Sequence, residues 1–141
     1  MNISAALCET SLVCIELPTS AWQVVISALN SLQKNLWMPL LEDEFIRNFC
    51  RECGYYNNQA RIVADFVHEI QDFLKGNEAD YPKLTFLKVE WEFIWELIYI
   101  LIETLDEQEG KNCVQIADFL QQILEEIDLN LFGVPNNATL N

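Results

Sequence analysis

Glycine and proline are scarce in this chain, with four of each among 141 residues. A turn-rich β protein would need more of both, and a chain that is 51% hydrophobic and 21% charged is too apolar to stay disordered. The scarcity therefore favours a helical protein. A chain of this length has the usual size of one domain and can bury a full hydrophobic core.

Basic residues are also few. Eight Lys and Arg stand against 22 Asp and Glu, so the net charge is −14 at pH 7. A field of this sign repels phosphate backbones and anionic membranes and attracts basic proteins. We therefore expect a basic protein partner and no direct binding to nucleic acid or membrane. Residues 82–141 carry about −8 of the charge and dominate the field.

Long hydrophobic runs are absent too. The most apolar stretch, residues 97–102, lies between Glu96 and Glu103 and is far shorter than the ~20 residues that span a bilayer. The N-terminal segment lacks the basic region and cleavage pattern of a secretory signal. These features predict a cytoplasmic location, where the five cysteines would stay reduced.

The chain has one histidine, His68, which leaves little for catalytic triads or for metal sites that need two histidines. Cys50 and Cys53 have a redox-like spacing. They precede Gly54, however, and so fall at a helix C-terminus, where the dipole does not lower a thiol pKa. No second cysteine pair completes a zinc site. We expect buried thiols, no metal and no cofactor.

Glu92 and Glu96 lie one helical turn apart, and such a carboxylate pair can perform acid–base chemistry when one member is desolvated. Exposed glutamates at this spacing are usually solvated. The chain also lacks a glycine-rich phosphate loop and a nucleophile elbow. The prediction is that the protein is not an enzyme, with carboxylate catalysis as the least favoured reading.

Apolar residues recur at intervals of three and four along most of the chain, which predicts helices. The pattern predicts a helix opened by a Ser20–Gln23 capping box and running through Leu36, and another with Pro39 in its first turn. Residues 1–17 are ambiguous between a helix, which we favour, and a short strand over 12–15. Further helices are expected from Asn58 to Gly76, over about residues 83–108 and from Asn112 to Leu131.

Together these segments predict an all-α, single-domain antiparallel bundle of five or six helices without appreciable sheet. The segment at about 83–108 is apolar nearly all round, so we place it at the centre. The domain is expected to cover residues 1–135, followed by a frayed tail at 136–141.

Two groups of acidic residues lie at positions where stabilisation of their own helix does not explain them. Negative charge at a helix C-terminus is disfavoured by the dipole, and both groups lie near predicted helix ends. In an antiparallel arrangement, loop acids would join the second group and give two negative poles. Carboxylates one turn apart are about 6 Å from each other, close to phosphate spacing. The first group is Glu103, Asp106, Glu107 and Glu109, and the second is Glu78, Asp80, Glu125, Glu126 and Asp128.

The leading hypothesis is an acidic inhibitor or antagonist, of the immunity-protein or nucleic-acid-mimic type, that binds a basic, nucleic-acid-handling protein such as a nuclease. The alternative is a helical scaffold or oligomerisation module that buries an apolar face of Trp22, Trp37 or the central helix against another copy or subunit.

Overall fold

The computed structural model describes residues 12–54, 59–76, 81–108 and 110–132. This part of the chain is mostly helical and forms six helices and two strands. In chain order, the elements are β1 (Leu12–Glu16), α1 (Thr19–Ser31), α2 (Gln33–Glu42), α3 (Glu44–Glu52), α4 (Gln59–Lys75), β2 (Lys83–Leu87), α5 (Lys88–Asp106) and α6 (Lys111–Phe132). The predicted tail at 136–141 lies outside the described residues.

Helix α5 is the most buried element of the described chain, as its near-continuous apolar surface predicts. It contacts α1, α2, α3, α6 and both strands. Its buried apolar side chains form one core with residues of every other element. They are Trp91, Phe93, Ile94, Leu97, Ile98, Ile100, Leu101, Ile102 and Leu105. The prediction of a central apolar helix is confirmed, while an antiparallel bundle stays a prediction.

The predicted helical content and helix number are confirmed, but the predicted absence of sheet is wrong. Strands β1 and β2 pair antiparallel, in a register that sets Leu12 opposite Leu87 and Glu16 opposite Lys83. The predicted helix at 83–108 therefore begins only at Lys88, and residues 12–16 form a strand. In β2, buried Leu84 alternates with exposed Lys83 and Thr85, which is the period of a strand with one face on the core. Residues 1–11 of the helix favoured for residues 1–17 lie outside the described residues.

Two helix boundaries also differ from the predicted ones. Leu32 separates α1 from α2, and Pro39 lies inside α2 rather than in the first turn of a new helix. A proline here leaves the carbonyl of Asn35 without its usual partner, and Asn35 is exposed, so water can bind it. The predicted capping box is also absent, because α1 begins at Thr19 with Pro18 in the cap position.

Helix α3 begins and ends on residues suited to those positions. Asp43 is its N-cap, since its Oδ1 accepts a hydrogen bond from the Ile46 N–H at 2.8 Å. The predicted stop at Gly54 is confirmed by its φ of +85°, a left-handed conformation that glycine adopts without strain. The Asp43 cap fixes the junction between α2 and α3, and it holds the Asp43 carboxylate at the start of α3.

Aromatic rings join the elements across the core. Trp91 lies 6.0 Å from Trp22 in α1 and 5.3 Å from Phe86 in β2, measured between ring centroids. The Trp91 indole N–H donates to the Val13 carbonyl of β1 at 2.8 Å. Phe93 stacks on Phe49 of α3 at 4.6 Å. Helix α5 is thereby held to β1, β2, α1 and α3 by large buried side chains. No helix in the described segments combines the length and apolarity needed to cross a bilayer.

Candidate functional site

The outward side of α5 carries a stripe of carboxylates. Glu92, Glu96 and Glu103 follow one another at four- and seven-residue intervals, which places them on one side of the helix. Glu92 and Glu96 are half-buried, and Glu103 is exposed. Asp106 and Glu107, both exposed, continue this side at the helix end. The acids predicted at the end of α5 are thus the last part of a longer stripe.

A pocket of about 210 Å³ lies beside this stripe, between α3, α5 and α6. Carboxylates and aromatic rings share its lining. The lining residues are Phe45 of α3, Glu92, Trp95 and Glu96 of α5, and Asp128, Leu131 and Phe132 of α6. The pocket combines negative charge with apolar rings, a composition suited to an organic cation.

The Glu96 carboxyl is paired with that of Asp43, the N-cap of α3. Burial raises the pKa of Glu96 most, followed by the hydrogen bond with Asp43 and the negative charges of Asp43 and Glu103, to about 7. When Glu96 carries a proton it donates to Asp43. Near neutral pH a substantial fraction of Glu96 is protonated, and a cation that enters the pocket would favour release of this proton.

Asp128 approaches the pocket from α6. Burial raises the pKa of Asp128, the neighbouring indole N–H of Trp95 lowers it, and the charge of Glu125 raises it. The Trp95 ring stacks on Tyr99 with 5.4 Å between centroids. Its N–H is shielded from solvent and, among the described residues, makes no hydrogen bond of good geometry. The Trp95 N–H and the Asp128 carboxylate are therefore neighbours that attract each other electrostatically.

These contacts define one surface, which we call the acidic face. Glu92, Glu96 and Asp128 share the pocket, Asp43 and Glu103 act on Glu96, and Glu125 acts on Asp128. The acidic face consists of Asp43, Glu92, Glu96, Glu103, Glu125 and Asp128. Glu96 connects the acids near the end of α5 with those of α6.

The predicted site residues divide into three groups. Glu103, Glu125 and Asp128 lie on the acidic face, and Asp106 and Glu107 continue it along α5. Glu126 lines a different cavity with Glu16 and Tyr81. Glu78, Asp80 and Glu109 lie outside the described residues. The sequence analysis did not identify Asp43 as a partner of Glu96. It considered Glu92 and Glu96 as a possible catalytic pair, although their helical spacing with Glu103 indicates that the three share one side of the helix.

Cys50 and Cys53 lie in the core, 0% and 9% exposed, as predicted. Burial raises the pKa of Cys50 to about 12 and, with the charge of Glu90 as a lesser cause, that of Cys53 to about 11. Both thiols therefore stay protonated at neutral pH and are poor nucleophiles and metal ligands. No group of three metal-binding side chains occurs in the described segments.

His68, which the sequence analysis considered, and the buried carboxyl of Glu90, which it did not, both lie elsewhere. His68 and Asp72 of α4 are exposed, with 3.4 Å between the His68 Nε2 and the Asp72 carboxylate. Glu90 is buried at the start of α5, where its Oε1 accepts a hydrogen bond from the Leu87 N–H at 2.9 Å. Both arrangements have a structural explanation, which leaves the acidic face as the candidate site.

Comparison of the chain with protein-family models, with curated proteins and with solved structures found no match.

The pairing of Glu96 with Asp43 predicts a pH-dependent stability. Because folding raises the Glu96 pKa from an ordinary 4.5 to about 7, the folded state holds this proton more tightly, and stability falls as pH rises through that interval. The groups that face Glu96 are Asp43, Glu92 and Glu103, with Asp128 across the pocket. Glu96→Gln keeps a donor for Asp43 without the charge. Since Glu96 is half-buried and partly screened, we expect the variant to be about 1 kcal/mol more stable than wild type at pH 8.5.

Urea unfolding at pH 5 and pH 8.5 measures this effect. At pH 5 the two proteins should have nearly equal free energies of unfolding, because wild-type Glu96 is then protonated. Glu126→Gln is the matched control, since it removes one exposed charge from α6 away from Asp43. An equal gain from both variants would show that general charge repulsion, and not the Glu96–Asp43 pair, is relieved.

Proposed function

We propose that this protein is an acidic antagonist that binds a basic, nucleic-acid-handling protein through its acidic face. One observation carries the proposal. Carboxylates from the start of α3, from α5 and from α6 converge on one surface, where burial first and then the neighbouring negative charges raise the pKa of Glu96 and of Asp128. Acidic residues that serve only to keep a protein dispersed can be spread apart, where they repel one another less. A basic partner would offset the repulsion.

The total charge supports the same conclusion. A net charge of −14 exceeds in magnitude the ~2 to 8 that suffices for a small domain. Such a field accelerates encounter with a positively charged cleft and excludes nucleic acid from the same complex. An acidic face that covers a nucleic-acid-binding cleft would therefore inhibit by occupying it.

The scaffold alternative is less well supported. Trp22 is 1% exposed and packs inside the chain, and α5 is covered by its neighbours, so neither offers a free apolar face. The side chain of Trp37 is not among those that the structure describes. The alternative would need surfaces elsewhere, and it predicts association that is insensitive to salt.

Catalysis by the carboxylates is not part of the proposal. A Glu96 pKa of about 7 is typical of a general acid, but burial, Asp43 and Glu103 account for it without a substrate. We therefore assign the acidic face a binding role.

The salt dependence of binding tests the proposal. The partner is captured from the native host on immobilised protein, identified and purified, and its association rate is measured between about 50 and 500 mM NaCl. We expect the rate to fall at least tenfold over this range, because charge-steered encounter is screened by salt. A partner that is not basic, or a rate that changes less than twofold, would contradict the acidic-antagonist proposal and favour the apolar scaffold.

A further inference from the structure

We propose that the pocket between α3, α5 and α6 receives one arginine side chain of the basic partner. The inference rests on the proposed function and assigns the contact at its centre. The pocket's volume of about 210 Å³ is below the ~300 to 1,000 Å³ of sites for small molecules and cofactors. A single side chain inserted from a partner's surface is an occupant that matches this size.

The lining has the chemistry that recognises a guanidinium group. Glu96 and Asp128 supply carboxylates to the pocket from two different helices, α5 and α6. An arginine can donate to both at once, because its planar fork presents five N–H donors. The Phe45 and Trp95 rings provide flat apolar surfaces on which the guanidinium plane can stack. Lysine offers a point charge without this plane and matches the rings less well.

A cation of the chain itself contacts one of the aromatic rings that line this pocket. The Lys88 ammonium is 5.3 Å from the centroid of the Phe132 ring, and Phe132 lines the pocket. This contact is a cation–π interaction of ordinary distance. One of the aromatic rings of the lining thus already contacts a positive group, a contact of the same kind as the one proposed for the arginine.

Neither Glu96 nor Asp128 forms a salt bridge with a basic side chain of the described segments. Glu96 has a hydrogen bond with Asp43 that favours its protonated form, and Asp128 is neighboured by the Trp95 N–H and by the charge of Glu125. An arginine in the pocket would replace the proton as the counter-charge of Glu96. The chain thus provides a site in which repulsion between carboxylates is relieved by one inserted guanidinium.

The test uses the full chain and an acetylated, amidated peptide Gly-Gly-Arg-Gly-Gly as the probe, with the citrulline peptide of the same shape as the uncharged comparison. Binding is followed by NMR through the indole N–H resonance of Trp95, assigned with Trp95→Phe. We expect the arginine peptide to shift this resonance in a saturable manner at low salt and the citrulline peptide to leave it unchanged.

Variants then separate the pocket from the general field. Glu96→Gln combined with Asp128→Asn should weaken binding of the arginine peptide at least fivefold. Glu92→Gln leaves both of those carboxylates in place and should weaken binding by a smaller factor. The double variant Glu16→Gln, Glu126→Gln is the matched control, because it removes the same charge from another cavity. We expect it to change affinity less than twofold. A circular-dichroism spectrum confirms that each variant folds.

Two outcomes would overturn the inference. Equal weakening by the pocket pair and by the control pair would show attraction by the overall charge alone. Binding of the citrulline peptide equal to that of the arginine peptide would show that the guanidinium is not recognised. In either case the salt-dependent association of the native partner would still stand, so failure of the arginine pocket is distinguishable from failure of the acidic-antagonist proposal.

Discussion

Replacement of Trp91 by alanine is expected to lower the free energy of unfolding by about 3 to 5 kcal/mol, the usual cost of truncating a large core aromatic. Trp91 is 0% exposed and contacts Trp22 and Phe86. Its N–H donates to the Val13 carbonyl, so the substitution also removes the hydrogen bond that holds β1 against α5. A loss of this size is a large part of the ~5 to 15 kcal/mol that stabilises a domain.

Urea unfolding followed by circular dichroism measures the loss. Tyr99→Ala is the matched control, because Tyr99 lies on the same helix and is 40% exposed, and it should cost about 1 kcal/mol or less. If Trp91→Ala fails to fold, Trp91→Phe retains a ring but not the hydrogen bond and should cost about 1 to 2 kcal/mol. A change below about 1 kcal/mol for Trp91→Ala would show that α5 is not enclosed as described.

Reversal of Glu103, Asp106 and Glu107 to lysine is expected to abolish binding to the native partner while leaving the helical fold intact. All three side chains are exposed, so the substitutions change the field without entering the core. Lysine at the end of α5 also complements the helix dipole, which should stabilise the domain by about 0.3 to 1 kcal/mol for each residue nearest the terminus. The salt dependence of any residual association should largely disappear, because rim charges govern the encounter rate.

The association rate and its slope against salt are the measurements for this prediction. Reversal of Glu16, Asp72 and Glu126 is the control, since it changes the total charge equally at exposed positions that do not line the pocket of the acidic face. If the first variant binds as well as wild type at low salt, the end of α5 is not the interface, and Glu125 and Asp128 are reversed next. Unimpaired binding by both variants would show that the acidic face serves only dispersal of the protein in water.

The helices that the sequence predicted correctly owe their position to local patterns. The repeat that runs from Ile62 to Leu74 and the one that runs from Ile116 to Leu131 lie within α4 and α6. Gly54 stopped α3 as predicted, because a positive φ is a property of one residue and needs no distant contact. Helical periodicity is likewise encoded within a dozen neighbouring residues.

The sheet could not be predicted from local sequence patterns in the same way. Residues 83–87 continue an apolar pattern into α5, and only pairing with residues 12–16, about 70 positions earlier, makes them a strand. A five-residue run satisfies helical and strand patterns almost equally, and a partner that distant leaves no local signal. The junctions at Leu32 and Asp43 are similar, since each depends on how two helices turn against the core.

The sequence by itself determined that the chain is mostly helical, that α5 lies at its centre and that the molecule carries a strong negative field, because composition and periodicity are local quantities. The tertiary structure decided which acids act together. It placed Asp43 against Glu96, brought Asp128 to the same pocket and turned Glu126 toward another cavity. Glu126 and Asp128 are two positions apart in sequence but about 200° apart around a helix, so only packing determines which surface each one joins.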